Sequence, residues 1–211
     1  HPRHQVRLNG QLYALLIEEK CIEAGVQIRF YETPTQITFQ NNNWVVQTMG
    51  KGTMTEIICN QLIDCTGNAY AASIAGFTLL REAEIQPGTL TFELSGYDFN
   101  SLDLKMINAR YQEALQKGEL VKADFRNNII GLLRSKGDNI SHVMGADSTT
   151  SESHTIANIK GRTSLLQTLR FLRTLPGLEK TKIVDLQNET AVRETYRIDG
   201  HYKITHNDYV T

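Results

Sequence analysis

The spacing of apolar and polar positions changes several times along the chain, and each change marks an element. Leu8, Leu12, Leu15, Leu16 and Ile22 recur at helical spacing, which predicts an amphipathic helix over residues 5 to 24, stopped at Gly25. Val26-Gln27-Ile28-Arg29-Phe30 then alternates with period two, as a strand does. Three short runs follow, Gln36–Phe39, Trp44–Thr48 and Thr55–Cys59, separated by Asn41-Asn42-Asn43 and by Gly50-Lys51-Gly52. Short β-rich runs joined by tight turns predict an antiparallel meander. Leu62-Ile63-Asp64 reads as a short apolar strand that ends at Cys65-Thr66-Gly67-Asn68, and Ala69 to Ala75 as a small-residue helix stopped by Gly76.

Beyond residue 80 the pattern changes character. Thr89 to Leu94 alternates as a strand, and residues 101 to 117 read as a helix with Leu102, Met106, Ala109 and Leu115 inward. Ile129 to Leu133 and Ser141 to Met144 are expected to be two strands joined by the turn Lys136-Gly137-Asp138-Asn139. Ser151 or Ser153 is expected to cap a long helix reaching Leu175, with Leu165, Leu166, Leu169 and Leu172 as its apolar stripe. Ile183 to Leu186 is a further strand. There is no internal repeat and no low-complexity linker, and Pro87-Gly88 opens a new sheet close to the expected domain boundary.

Composition narrows the function classes. The 211 residues are 40% hydrophobic with a formal charge of -1, enough for a buried core and without a basic field that would collect nucleic acid. No apolar run approaches the ~18–20 residues that span a bilayer. The chain opens His-Pro-Arg-His with no initiator Met, so it is expected to be an internal piece of a longer protein. Cys21, Cys59 and Cys65 are odd in number and lack a C-x-x-C spacing, which argues against a disulfide framework or a zinc site. Cys21 and Cys59 are expected to be buried small hydrophobes. No metal site is expected from the six histidines, which include neither H-E-x-x-H nor H-x-H.

Two segments carry candidate chemistry. In the first, Gly67 allows a backbone to approach a ligand closely, and the helix start after it would offer free N–H groups to a phosphate. An ordinary strand-to-helix turn has the same sequence, and Tyr70 on that helix reads as packing. In the second, Arg193 and Arg197 would share one face of a strand with Glu194 on the other, so that two guanidinium groups could hold a carboxylate or another planar anion. A solvated ion pair is the alternative there. His201 and His206 flank this segment and have the chemistry of an acid or base, or of plain surface histidines.

The run from Leu62 to Ala72 resembles the segment of the FAD-dependent oxidoreductase family, among the glutathione-reductase-like flavoproteins, in which a strand ends at an Ala-Thr-Gly turn beside the FAD. Cys65 replaces the usual Ala, and Asn68-Ala69 replaces Asp-Gly. Arg193 to Asp208 resembles a C-terminal segment of the same family, with Tyr196 where a second Arg is usual; Gly145-Ala146-Asp147 and the helix carrying Arg162 fit between the two. The resemblance implies an α/β fold. Residues 1–82 would be the later part of a doubly wound FAD-binding domain interrupted by an antiparallel meander, and residues 83–211 part of a substrate-side domain of antiparallel sheet and helices. It implies hydride transfer between a small-molecule substrate and FAD. Thr66, Gly67 and Asn68 would lie beside the cofactor, with Arg193, Glu194, Arg197 and His201 as candidate catalytic residues. No G-x-G-x-x-G is present, so the phosphate fingerprint is expected upstream and the closing segment downstream, and the chain alone is expected not to hold FAD tightly. The expected partners are a small substrate and those missing segments, with no nucleic acid and no membrane, in the cytoplasm. Some members of the family carry the label xanthan lyase, so a polysaccharide lyase is one alternative. A non-catalytic binding domain that has lost the cofactor is the other.

Overall fold

A computed structural model describes residues 8–121, 128–138 and 141–209. The chain divides into two compact units, His1–Ile63 and Asp64–Thr211.

The first unit opens with α1 (Gly10–Glu23), whose Asn9 side chain accepts from Leu12 N at its start. The helix covers 10–23 of the expected 5–24, residues 5–7 lying outside the described residues, and it buries none of its residues. The predicted strand at 26–30 is absent. Alternation specifies a strand only when a neighbour supplies the ladder, and residues 26–30 pair with none of the described strands. Arg29 instead bonds Glu32 at 2.9 Å and Thr55 at 2.7 Å, and Tyr31 turns into the left-handed region at φ 61°.

The meander forms as expected: β1 (Thr33–Gln40), β2 (Asn43–Gly50) and β3 (Thr53–Cys59) pair antiparallel in chain order. Asn41 and Asn42 both take positive φ, at 52° and 63°, the conformation that a two-residue hairpin turn demands and that Asn tolerates well. In the resulting register Phe39 faces Trp44, with ring centroids 4.9 Å apart. Ile37, Val45 and Val46 are the buried apolar positions of this sheet. Cys21 and Cys59 are half-buried rather than buried, and Cys65 is exposed. Leu62-Ile63-Asp64 has no strand structure: Ile63 is 81% exposed and no described strand lies beside the segment.

The second unit holds the main core. Its elements are α2 (Tyr70–Ile74), β4 (Leu79–Leu80), β5 (Gly88–Thr89), β6 (Phe92–Ser95), α3 (Leu104–Gln116), α4 (Ile129–Ser135), β7 (Gly137–Asp138), β8 (His142–Val143), α5 (Ser151–Leu172), β9 (Lys182–Leu186) and β10 (Arg197–Ile198). Strand β6 sits between β7 and β9, while β5 pairs with β8 and β4 with β10. Every pairing among the described strands is antiparallel. Leu90, Phe92, Ile107, Tyr111, Leu132, Leu165 and Leu172 are among the core residues that α3, α4 and α5 close over this sheet.

Several expectations change here. Residues 129–133 form a helix, not a strand. Asn128 caps it by accepting from Gly131 N at 2.8 Å, and Ile129, Leu132 and Leu133 fall on one buried face at helical spacing. An apolar run buried on its whole length reads alike in both structures. Lys136, at φ 57°, ends the helix, and Asn139 of the predicted turn lies outside the described residues. The predicted strand at 141–144 is reduced to His142–Val143, and that at 89–94 is broken between Thr89 and Phe92. In α3 the fully buried face is Ile107, Tyr111 and Ala114; Met106 and Leu115 pack against the core as expected and Leu102 is buried just before the helix, but Ala109 is exposed. Thr150, not Ser151 or Ser153, caps α5, with Ser153 completing a reciprocal capping box. The buried stripe of α5 runs Ala157, Gly161, Leu165, Thr168, Leu172, leaving Leu166 44% exposed.

Candidate cofactor and substrate site

The Thr66-Gly67 turn is built by one carboxylate. Asp64 Oδ1 accepts from Thr66 N at 2.9 Å and from Thr66 Oγ1 at 2.6 Å, and Asp64 Oδ2 accepts from Ala72 N at 2.9 Å. Thr66 Oγ1 in turn accepts from Tyr70 N at 2.9 Å. Partial burial of Asp64 favours its neutral form, but the bonds from Thr66, Ala72 and Ala71 outweigh it and hold the carboxyl below the ordinary aspartate range. The expected free N–H groups at this helix start are therefore corrected: those of Tyr70 and Ala72 are already taken by the chain's own oxygens. Tyr70 is 39% exposed rather than packed. Gly67 sits at φ 79° with open space where a Cβ would be, so glycine is favoured there by conformation and nothing in the chain crowds it. Asn68 Oδ1 is buried and has no hydrogen-bond partner among the described residues.

The C-terminal candidates reach the same place. Thr89 and Ala191 exchange backbone bonds of 2.9 and 2.8 Å, which fixes the start of the returning segment. From there a side-chain ladder joins residues 82–89 to residues 193–197. Arg193 donates to Thr89 Oγ1 at 3.0 Å, and Glu194 accepts from Gln86 N at 2.9 Å and Gln86 Nε2 at 3.0 Å. Arg197 pairs with Glu82, whose carboxyl is lowered by that bond and charge. The regular strand expected through 193–197 is reduced to Arg197–Ile198, so the two arginines do not share a strand face; each is held by a different partner.

A cavity of about 260 Å³ lies against this ladder, lined by Gly67, Leu80, Arg81, Glu82, Ile85 and the run Arg193 to Arg197. Gly67, Arg193, Glu194 and Arg197 thus line one space. Thr66 and Asn68 flank Gly67 without being among the lining residues, and His201 is exposed and likewise outside the lining. Reasoning from sequence missed Arg81. Its guanidinium pairs with Asp147 at 3.0 Å and lies over the Tyr196 ring, 5.7 Å from the centroid. The positive charge that Tyr196 does not supply is present in space above its ring. Arg81 stands in a short unremarkable run, and only the fold brings Asp147 and Tyr196 to it.

The described residues form a mixed helix-and-sheet chain with a glycine turn and three arginines on one small cavity. Its family is the FAD dependent oxidoreductases: the family's sequence model matches residues 3–211, and the chain belongs to it. No curated protein and no solved structure matches the chain. Membership assigns flavin-linked redox chemistry to the class, whose members bind FAD. The turn is compatible with such a group, because Asn68 offers an orphaned buried acceptor and the space over Gly67 is open. No helix among the described residues is long and apolar enough to cross a membrane.

Proposed function

We propose that this chain is part of an FAD-dependent oxidoreductase acting on a small molecule, with hydride passing between substrate and flavin. The observation that supports it is the common cavity of Gly67 with Arg193, Glu194 and Arg197. In this reading residues 1–82 belong to a doubly wound flavin-binding domain and residues 83–211 to a substrate-side domain. Bound FAD would supply the hydride-accepting centre. The chain's own residues bind and orient. Asp64 fixes the Thr66-Gly67 turn, Asn68 supplies an acceptor beside it, and the ladder from Thr89 to Glu82 holds the arginines in place. At about 260 Å³ the cavity is smaller than the roughly 300–1,000 Å³ of drug-sized sites, which favours a small substrate over a whole dinucleotide. His201 is kept as a candidate acid or base whose approach to substrate would need a change in its exposed segment.

The test is the visible spectrum of the protein as its gene encodes it. Flavin absorbance is expected. Gly67→Val should lower the flavin content, because a β-branched residue is strained at φ 79°. A correctly folded, colourless protein that takes up no added FAD would instead support a binding domain that has lost the cofactor.

A further inference from the structure

The three arginines on the cavity are not equivalent. Arg197 is closed by Glu82, which lines the same cavity, and Glu194 gives both its oxygens to Gln86. Arg81 is held from behind. Its partner Asp147 is not among the lining residues, and Asp147 is itself fixed by Thr149, through the backbone N at 2.9 Å and the hydroxyl at 3.1 Å. Tyr196 covers one face of the guanidinium. A guanidinium has five donors in a rigid planar fork, and ordering it beforehand reduces the entropy lost on binding. Across the lining, Arg81, Arg193 and Arg197 stand against Glu82 and Glu194, an excess of one positive charge.

We propose that Arg81 is the anion-binding residue of this cavity and that the substrate it selects is a small monocarboxylate, with Asp147 and Tyr196 as positioning residues. This rests on the reading of the cavity as the substrate pocket. A planar carboxylate matches the guanidinium fork, and because Asp147 behind Arg81 already offsets the single excess positive charge of the lining, one further negative charge is easier to hold there than the larger charge of phosphate.

The experiment titrates the full chain with lactate, and separately with inorganic phosphate, at constant ionic strength made up with chloride. The readout is the binding isotherm from titration calorimetry for every variant, joined in the chains that keep Arg81 by its Nε–H signal in nitrogen-15 NMR. A saturable shift with lactate is expected. Arg81→Gln should weaken lactate binding about tenfold or more. Arg81→Lys should recover part of it, and Asp147→Asn should weaken it while leaving Arg81 in place. Arg170→Gln, an exposed arginine outside the cavity, should leave it unchanged. Circular dichroism reports whether each variant is folded, and Arg81→Lys keeps the test valid if Arg81→Gln is not. No saturable shift, equal weakening by Arg170→Gln, or tighter binding of phosphate than lactate would each overturn the proposal. No flavin is needed for this readout. Lactate bound at Arg81 while the protein as its gene encodes it takes up no flavin sinks the oxidoreductase reading alone, and flavin uptake by that protein with no lactate binding sinks the anion site alone.

Discussion

The two compact units satisfy their hydrophobic residues differently. In Asp64–Thr211 the apolar positions of sheet and helices meet: Phe92 is 2% exposed and Leu132 and Leu172 are fully buried. In His1–Ile63 the meander buries a few residues, but α1 buries none, and Leu12, Tyr13, Leu15, Leu16 and Ile17 stay exposed. Those five leave little of that stretch polar, and a helix apolar on several sides is the kind found wrapped by other elements. Caps and spacing fix a helix's shape; burial fixes its energy. The second unit therefore draws its stability from packing, whereas α1 contributes little through contacts of its own.

Chain-wide denaturation separates the two, because Trp44, the only tryptophan, reports from β2 in the first unit, while most helix lies in the second. The largest effect is expected for Phe92→Ala. It should cost about 3–5 kcal/mol, moving the far-UV circular dichroism transition to lower urea while the Trp44 fluorescence transition stays. If both move together, the contrast between the units is broken. Next comes Gly88→Ala, whose new Cβ would lie 2.6 Å from Ala146 Cβ and 3.1 Å from Ala191 O. Overpacking of this kind should cost roughly 1–3 kcal/mol, and it should also disturb the nearby Arg193–Thr89 bond, read as a shift in Arg193 NMR signals. Asp64→Asn should cost roughly 1–2 kcal/mol by weakening the bonds to Thr66 and Ala72. The sign of its pH dependence is fixed. The folded pKa lies below the ordinary value of 3.8, so the contribution is present above that value and fades as pH falls through the folded pKa. The Asn variant should show less acid destabilisation below pH ~4 than the parent. The smallest effect belongs to Leu15→Ala on α1, where Leu15 is 67% exposed. It should change the Trp44 transition by no more than ~0.5 kcal/mol; a loss several times larger would show that α1 is packed in solution.

Local chemistry was legible in the sequence wherever it decides the structure. Asn41-Asn42 specifies a tight hairpin, and Gly76 and Gly118 stop their helices with positive φ. The misassigned strands failed for lack of context. Val26 to Phe30 alternates without a partner, and Ile129 to Leu133 is apolar throughout, so its period is hidden until Asn128 is seen to cap it. In the site, Gly67, Arg193, Glu194 and Arg197 were singled out by motif. Their meeting in one cavity was not legible, nor was the role of Arg81, because both depend on contacts between distant parts of the chain.

The ladder that walls the cavity joins partners 104 to 115 positions apart. Closing loops of that length is entropically costly, so these tethers are expected to form late in folding. The pocket is lined by residues drawn from 67–85 and 193–197, so a bound ligand would touch both ends of the larger unit. Occupancy should consequently register far away, as slower amide exchange throughout that unit.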